Sequence, residues 1–124
     1  MPHAIVTAAF ERRDERGVFR EILNGFEART FVCGEMKEGA TLGNHFHRLT
    51  RVFFYLTRGS ARVATVHVAS GEKDSFVLGA NQGVFFETNE SHVVRFTAES
   101  EFVMLKSRPY DPAAPDTYPH PVSD

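Results

Sequence analysis

Tryptophan is absent from the 124 residues, cysteine occurs once, and no apolar run approaches the roughly 20 residues a membrane-spanning helix needs. A single Cys33 excludes an internal disulfide framework, and its setting in an apolar stretch predicts a small buried side chain. A basic excess is also lacking. Fourteen Lys and Arg against sixteen Asp and Glu give a formal charge of −2 with no stripe to track phosphates, so nucleic acid is excluded as a partner. Residues 1–10 lack the charged start and apolar stretch of a signal peptide; with no membrane segment either, a cytoplasmic protein is expected. No segment carries a sustained 3.6-residue period, which excludes a helical bundle.

What is present fits one globular domain. Hydrophobic residues make up 42% and charged residues 24%, enough to build a core. Twelve Phe supply the aromatic bulk, and most lie in runs that read as buried strand. Short β-branched and aromatic segments recur at residues 4–9, 18–23, 29–37, 43–46, 52–57, 61–69, 75–78, 83–87, 92–97 and 101–106, parted by Gly, Asn, Asp and Ser. Ser70-Gly71 marks a hairpin turn. Ten short strands in one domain imply an all-β closed barrel or jelly roll over residues 1–108, because closure removes exposed edges. Residues 109–124 hold five of the six prolines and read as an extended tail, packed on the barrel or on a second subunit.

The densest chemical signal is Gly43-Asn44-His45-Phe46-His47. Histidines two apart on a strand share a side, and His92 opens a later strand that an antiparallel barrel can lay beside them. Three neutral imidazoles with an open position suit Zn²⁺, Ni²⁺, Fe²⁺ or Cu²⁺. His67 shares a strand face with Val63 and Thr65; a surface or singly hydrogen-bonded role is the stronger reading of it. Asp14 to Gly17 reads as a turn in which Asp bonds back to the backbone. Glu21 shares a face with Phe19 and Leu23, where a carboxylate needs a partner: either a catalytic role or a salt bridge to Arg29, Arg51 or Arg95. Arg20 points the other way.

On these residues the chain resembles the cupin superfamily, whose first motif runs glycine, H-x-H, a glutamate and a closing glycine. His45, His47 and Gly59 match, whereas Arg51 and Val52 occupy the positions where the glutamate is expected. It is more closely similar to the C-terminal cupin domain of bifunctional capsular-polysaccharide enzymes that epimerise and reduce a UDP-linked deoxyhexosulose. Residues 14–21, 43–47, His92 and the tail at 110–118 carry that similarity. The D-x-R-G-x-F-x-E pattern of residues 14–21 also looks like deoxysugar 3,5-epimerases and sugar-nucleotide 3,4-ketoisomerases. The resemblance implies a cupin without the reductase domain, a zinc ion on His45, His47 and His92 with Val52 in the glutamate position, and a homodimer joined through residues 4–10.

An epimerase or isomerase of this kind needs a base beside a ketone, a group that stabilises the enolate, and an acid that returns the proton. His45 and His47 are the candidates for base or metal ligand, with Tyr55 or Tyr118 as proton donor. Tyr55 belongs to the apolar run 53–56, whose ordinary role is core. Arg20, Arg51, Arg95 and Tyr118 are the candidate contacts to a nucleotide-linked ketosugar. Two other readings stand beside this one: a metal-dependent oxygenase or cyclase of secondary metabolism, and a non-catalytic cupin that binds a small molecule.

Overall fold

The computed structural model describes residues 2–123. Eleven strands follow in chain order: β1 Phe10–Asp14, β2 Gly17–Glu21, β3 Thr30–Met36, β4 Thr41–Phe46, β5 Val52–Arg58, β6 Ser60–His67, β7 Lys73–Gly79, β8 Gln82–Phe86, β9 Glu90–Phe96, β10 Ser100–Lys106 and β11 Tyr118–Pro119. β1 and β2 form a separate hairpin. Two antiparallel sheets, β3-β10-β5-β8 and β11-β4-β9-β6-β7, face each other as a jelly roll. No helix among the described residues is long and apolar enough to cross a membrane.

Alternation along each strand decides what the sheets enclose. In β5, Val52, Phe54 and Leu56 turn inward and meet Val84 and Phe86 of β8 and Phe102 of β10. From the second sheet come Ala61 and Val63, Leu78, and Val94 with Phe96. Phe54 lies 5.4 Å from Phe102 and 6.4 Å from Phe96, centroid to centroid, an aromatic centre in which each ring contributes about 1.5–3 kcal/mol by leaving water.

The same alternation sends Phe53 and Tyr55 to the opposite face of β5. In β3 it sends Val32 and Met36 inward and leaves Cys33 exposed, against the expectation of a buried thiol. Residues 4–9 form no strand of a sheet, contrary to their alternation. Val6 makes a single antiparallel bridge to Gly83 of its own chain, and Ala9 donates to the Glu21 carbonyl. The tail, expected to lack strand structure, pairs β11 with the end of β4, Tyr118 opposite Phe46. Pro119 and Pro121 do not prevent this, because only this short stretch pairs, at the sheet edge. The two turns are as expected: Asp14 Oδ1 accepts from Arg16 N at 2.9 Å, and Gly71 takes φ 75°. His67 Nδ1 accepts from Ser70 N at 3.2 Å, a hairpin role.

The first residues are clamped to the second sheet. His3 Nδ1 lies 2.7 Å from Asp74 Oδ2 and its Nε2 lies 2.8 Å from Glu90 Oε2. The Glu90 hydrogen bond, opposed by burial and reinforced by Asp74, raises the imidazole above its ordinary 6.5. A raised value means the clamp stabilises the fold fully below pH 6.5 and is lost as pH rises through the folded-state value. The gap in melting temperature between wild type and His3→Ala should therefore be widest between about pH 5 and 6.5 and close at alkaline pH. A gap independent of pH would show that the ring acts by packing alone.

Candidate functional site

The site begins with a backbone irregularity. β4 and β9 keep one register up to Gly43 opposite Val93 and then shift, so that His45 rather than Asn44 comes opposite His92. Asn44 is the extra residue of the bulge, with φ 61°, and Gly43 has φ 105°. A Cβ on Gly43 would collide with the backbone carbonyl of His92, so the close approach of the two strands requires glycine there.

The bulge gathers three imidazoles. Ring centroids are 4.9 Å apart for His45 and His92, 5.1 Å for His45 and His47, and 5.9 Å for His47 and His92. One ligand atom from each lies within 4.8 Å of the others. His92 is held by Phe86, which stacks on it at 4.1 Å and 3°. His47 Nδ1 lies 2.6 Å from the Asp116 carbonyl, which assigns the proton to Nδ1 and leaves Nε2 as a free lone pair. The Asp116 carboxylate in turn accepts from the backbone N–H of Arg48, Leu49 and Thr50 and from the Thr50 hydroxyl, all at 2.8–2.9 Å. Burial opposes the charge on Asp116, but these donors outweigh it and hold the carboxyl below its ordinary value.

The imidazoles face a cavity of about 110 Å³ walled by Leu42, Val52, Phe54, Phe86, Val94 and Met104, with Lys106 at one side. Burial, then the neighbouring His45 and His47, pushes His92 down to about 3. Burial, then His47 and Lys106, pushes His45 down to about 4. His47 is lowered by burial as well, but its bond to Asp116 works against the shift. All three rings are thus neutral at pH 7, able to bind a metal or take up a proton. Burial also lowers Lys106. No carboxylate lines this cavity among the described residues, and Val52 contributes a buried methyl surface in the glutamate position.

His45, His47 and His92 are brought together; the other candidates are not with them. Tyr55 lies on the outward face of β5, 3.5 Å from Asn81 Oδ1, because its inward neighbours are Phe54 and Leu56. Glu21 is exposed on the separate hairpin and accepts from Asn24 rather than from an arginine. Arg20 pairs with Glu11 across that hairpin at 3.0 Å. Arg51 pairs with Glu87 at 2.7 Å and covers the Phe85 ring at 4.1 Å. Arg95 alternates outward from His92, Val94 and Phe96, opposite Thr41 and Arg62. Tyr118 stacks on Phe46 beneath the Arg48 guanidinium, so it fastens the tail instead of entering the cavity. Sequence reasoning missed Asn44, Lys106 and Asp116. Lys106 had a readable signal: it has the inward parity of Phe102 and Met104, where a lysine is out of place. Asp116 had none, since its partners lie more than sixty residues away.

Residues 12–118 match the family model described as polysaccharide biosynthesis C-terminal domain. No curated protein matches the chain. Among solved structures, the Mycobacterium tuberculosis rmlC epimerase is 21% identical with a TM-score of 0.76, over 88% of this chain and 64% of that one. The capsular polysaccharide assembling protein CapF from Staphylococcus aureus is 23% identical with a TM-score of 0.71, over 91% of this chain and 34% of that one. The QdtA 3,4-ketoisomerase from Thermoanaerobacterium thermosaccharolyticum, solved in complex with TDP, is 19% identical with a TM-score of 0.75, over 93% and 85%. The chain thus spans less than two thirds of the first two. The likeness extends to the whole jelly roll and fixes the fold as that of a cupin.

Replacing Gly43 by Ala should cost roughly 1–3 kcal/mol from the left-handed backbone alone. The clash with the His92 carbonyl adds to that. A lower melting temperature with altered His92 ring resonances in NMR is the expected result; an unchanged His92 environment would mean that the bulge does not set the site.

Proposed function

Because the chain belongs to the polysaccharide biosynthesis C-terminal domain family, we propose that it is an epimerase or isomerase acting on a nucleotide-linked deoxy-ketosugar or a closely related carbonyl metabolite. The observation that carries this reading is the meeting of three neutral imidazoles around a small, largely apolar cavity with a lysine at its side. Moving a proton next to a ketone requires a base that is unprotonated at neutral pH, which for an imidazole means the neutral ring, and an apolar wall that keeps water from the enolate. Of the three rings, His47 suits the base best when the site holds no ion, because an ion on its Nε2 would take the same lone pair and the ring would then act as a ligand instead. Its shift is opposed by the Asp116 bond, its Nδ1 proton is fixed there, and Nε2 is left free.

The same rings fit a divalent ion. They are neutral, their ligand atoms are mutually close, and the buried His92 Nδ1 has no hydrogen-bond partner. We infer that His45, His47 and His92 would hold the ion, zinc by the all-nitrogen donor set, with the Asp116 carbonyl orienting His47 as an outer partner. When bound, such an ion polarises a ketone oxygen. We further infer a homodimer in the cytoplasm. Phe31 is 67% exposed on the outer face of β3, a surface that a second copy would cover, and the exposed unpaired Cys33 suits a reducing compartment.

Two measurements test this. Incubated in D₂O with a nucleoside-diphosphate-linked 4-keto-6-deoxyhexose, the protein should wash deuterium into the position next to the ketone. His47→Ala should slow this by about 10²–10⁴-fold. No exchange into any such ketosugar would overturn the reading. Protein purified without added metal or chelator should carry close to one equivalent of metal and lose it in His45→Ala. Metal-free wild type that still catalyses exchange would assign the rings to proton transfer alone.

A further inference from the structure

The histidine cavity has a second chamber that the reaction above leaves unused. The tail leaves β10 through Arg108, crosses the barrel mouth, and is pinned at Asp116. Beneath it lies a space of about 230 Å³. His47 and Lys106 line both chambers, so they stand at the passage between them. Neither space alone reaches the roughly 300 Å³ at which small-molecule sites begin; together they do.

The charges of the outer chamber are unevenly spent. Two carboxylates border it, and each is engaged within the loop that carries it or the turn it pins: Asp116 by three backbone N–H groups and the Thr50 hydroxyl, and Asp111, at the exposed rim, through Oδ1 by the Ala113 N–H at 2.9 Å. Lys106, the last residue of β10, and Arg108, two residues beyond it, make no side-chain ion pair or hydrogen bond among the described residues. Lys106 is in addition half-buried, so its ammonium has lost water and gained no anion. Tyr110 and Thr117 add hydroxyls at the rim.

We propose that Lys106 and Arg108 bind a phosphate group of the ligand in the chamber beneath the tail, while the uncharged ring attached to that phosphate enters the cavity among His45, His47 and His92. Lys106, at the passage, contacts the phosphate nearest the ring, and Arg108, at the rim, the one beyond it. The ligand is thus a phosphate ester, a diphosphate when each of the two cations takes its own phosphate, and the tail is part of its site. This deepens the ketosugar reading and rests on it for the identity of the ring.

Calorimetric titration with UDP, inorganic pyrophosphate and uridine tests the assignment. UDP and pyrophosphate should bind the wild type and uridine should not, which separates phosphate from base recognition. Lys106→Met should weaken UDP by about 10-fold and the double variant with Arg108→Gln by about 100-fold, the scale of lost charge-assisted hydrogen bonds. Lys106→Arg should restore most of the loss. Arg108 is exposed, so the effect of Arg108→Gln alone on UDP is free of any folding defect. The proposal is overturned if UDP fails to bind the wild type, if uridine binds as tightly as UDP, or if the variants bind UDP like the wild type. Deuterium exchange on the same samples keeps the two readings apart. Exchange with unaltered UDP affinity in the variants would sink the phosphate site alone; phosphate binding lost in the variants, with no exchange into any ketosugar, would sink the ketosugar reading alone.

Discussion

One inserted residue organises the working end of this barrel. Asn44, bulged out of β4, moves His45 into register with His92; without that shift the alternation that buries Leu42 would set Asn44 opposite His92 instead. The bulge also uses the backbone groups it frees. The Asn44 carbonyl accepts from His120 N at 2.8 Å and its side chain accepts from Val122 N at 2.9 Å. Val122 then buries itself against Ala64 and Val93 on the outer face of the second sheet. A single irregularity therefore sets the imidazole geometry and ties down the end of the tail, which is how a proline-rich segment far along the chain becomes part of the site.

Two of the tail's attachments act on different histidines. At Asn44 it braces the strand that carries His45. At Asp116 the carboxylate gathers the three N–H groups that follow His47, while the carbonyl of the same residue fixes the His47 ring. Burial supplies the third element of control. His92 sits deepest, flat against Phe86, and is the ring least able to carry charge. The three rings thus differ although their side chains are identical, and the difference comes from how far each has left water and from what holds its second nitrogen.

The fold was legible because alternation and turn chemistry agree along most of the chain. Nine of the ten expected strands lie on observed ones, and the histidine trio followed from H-x-H on one strand and a histidine at the head of another. Three of the failures share a physical cause. Tyr55, Cys33 and Arg95 depend on which side of a strand faces the core, and an apolar run buried on both faces, such as residues 52–56, carries no alternation to decide it. Residues 4–9 alternate as a strand does, yet make only one bridge at a sheet edge. Asp116 was invisible because three of its four donors are backbone N–H groups, which any sequence offers, and all four lie more than sixty residues away. Lys106 was visible in its parity, but a lysine at an inward position asks for an explanation that only the neighbouring chamber supplies.

That lysine and Val52 belong together. A cavity holding three neutral rings, an ammonium group and no carboxylate has no internal anion to balance positive charge. A glutamate at residue 52 would have offset a divalent ion and paired with Lys106; valine leaves both demands to the ligand. Whatever enters must bring negative charge or develop it there, and an enolate and a phosphate do so at the two ends of one molecule. An oxyanion forming among the imidazoles would gain from Lys106 in a medium where Coulomb forces are weakly screened, while a phosphate under the tail would hold that same ammonium in place. The loss of an anionic side chain is therefore not by itself the mark of a decayed site. On the proposed reading it transfers the requirement for charge from the protein to the substrate, and so narrows the substrates that the pocket would accept.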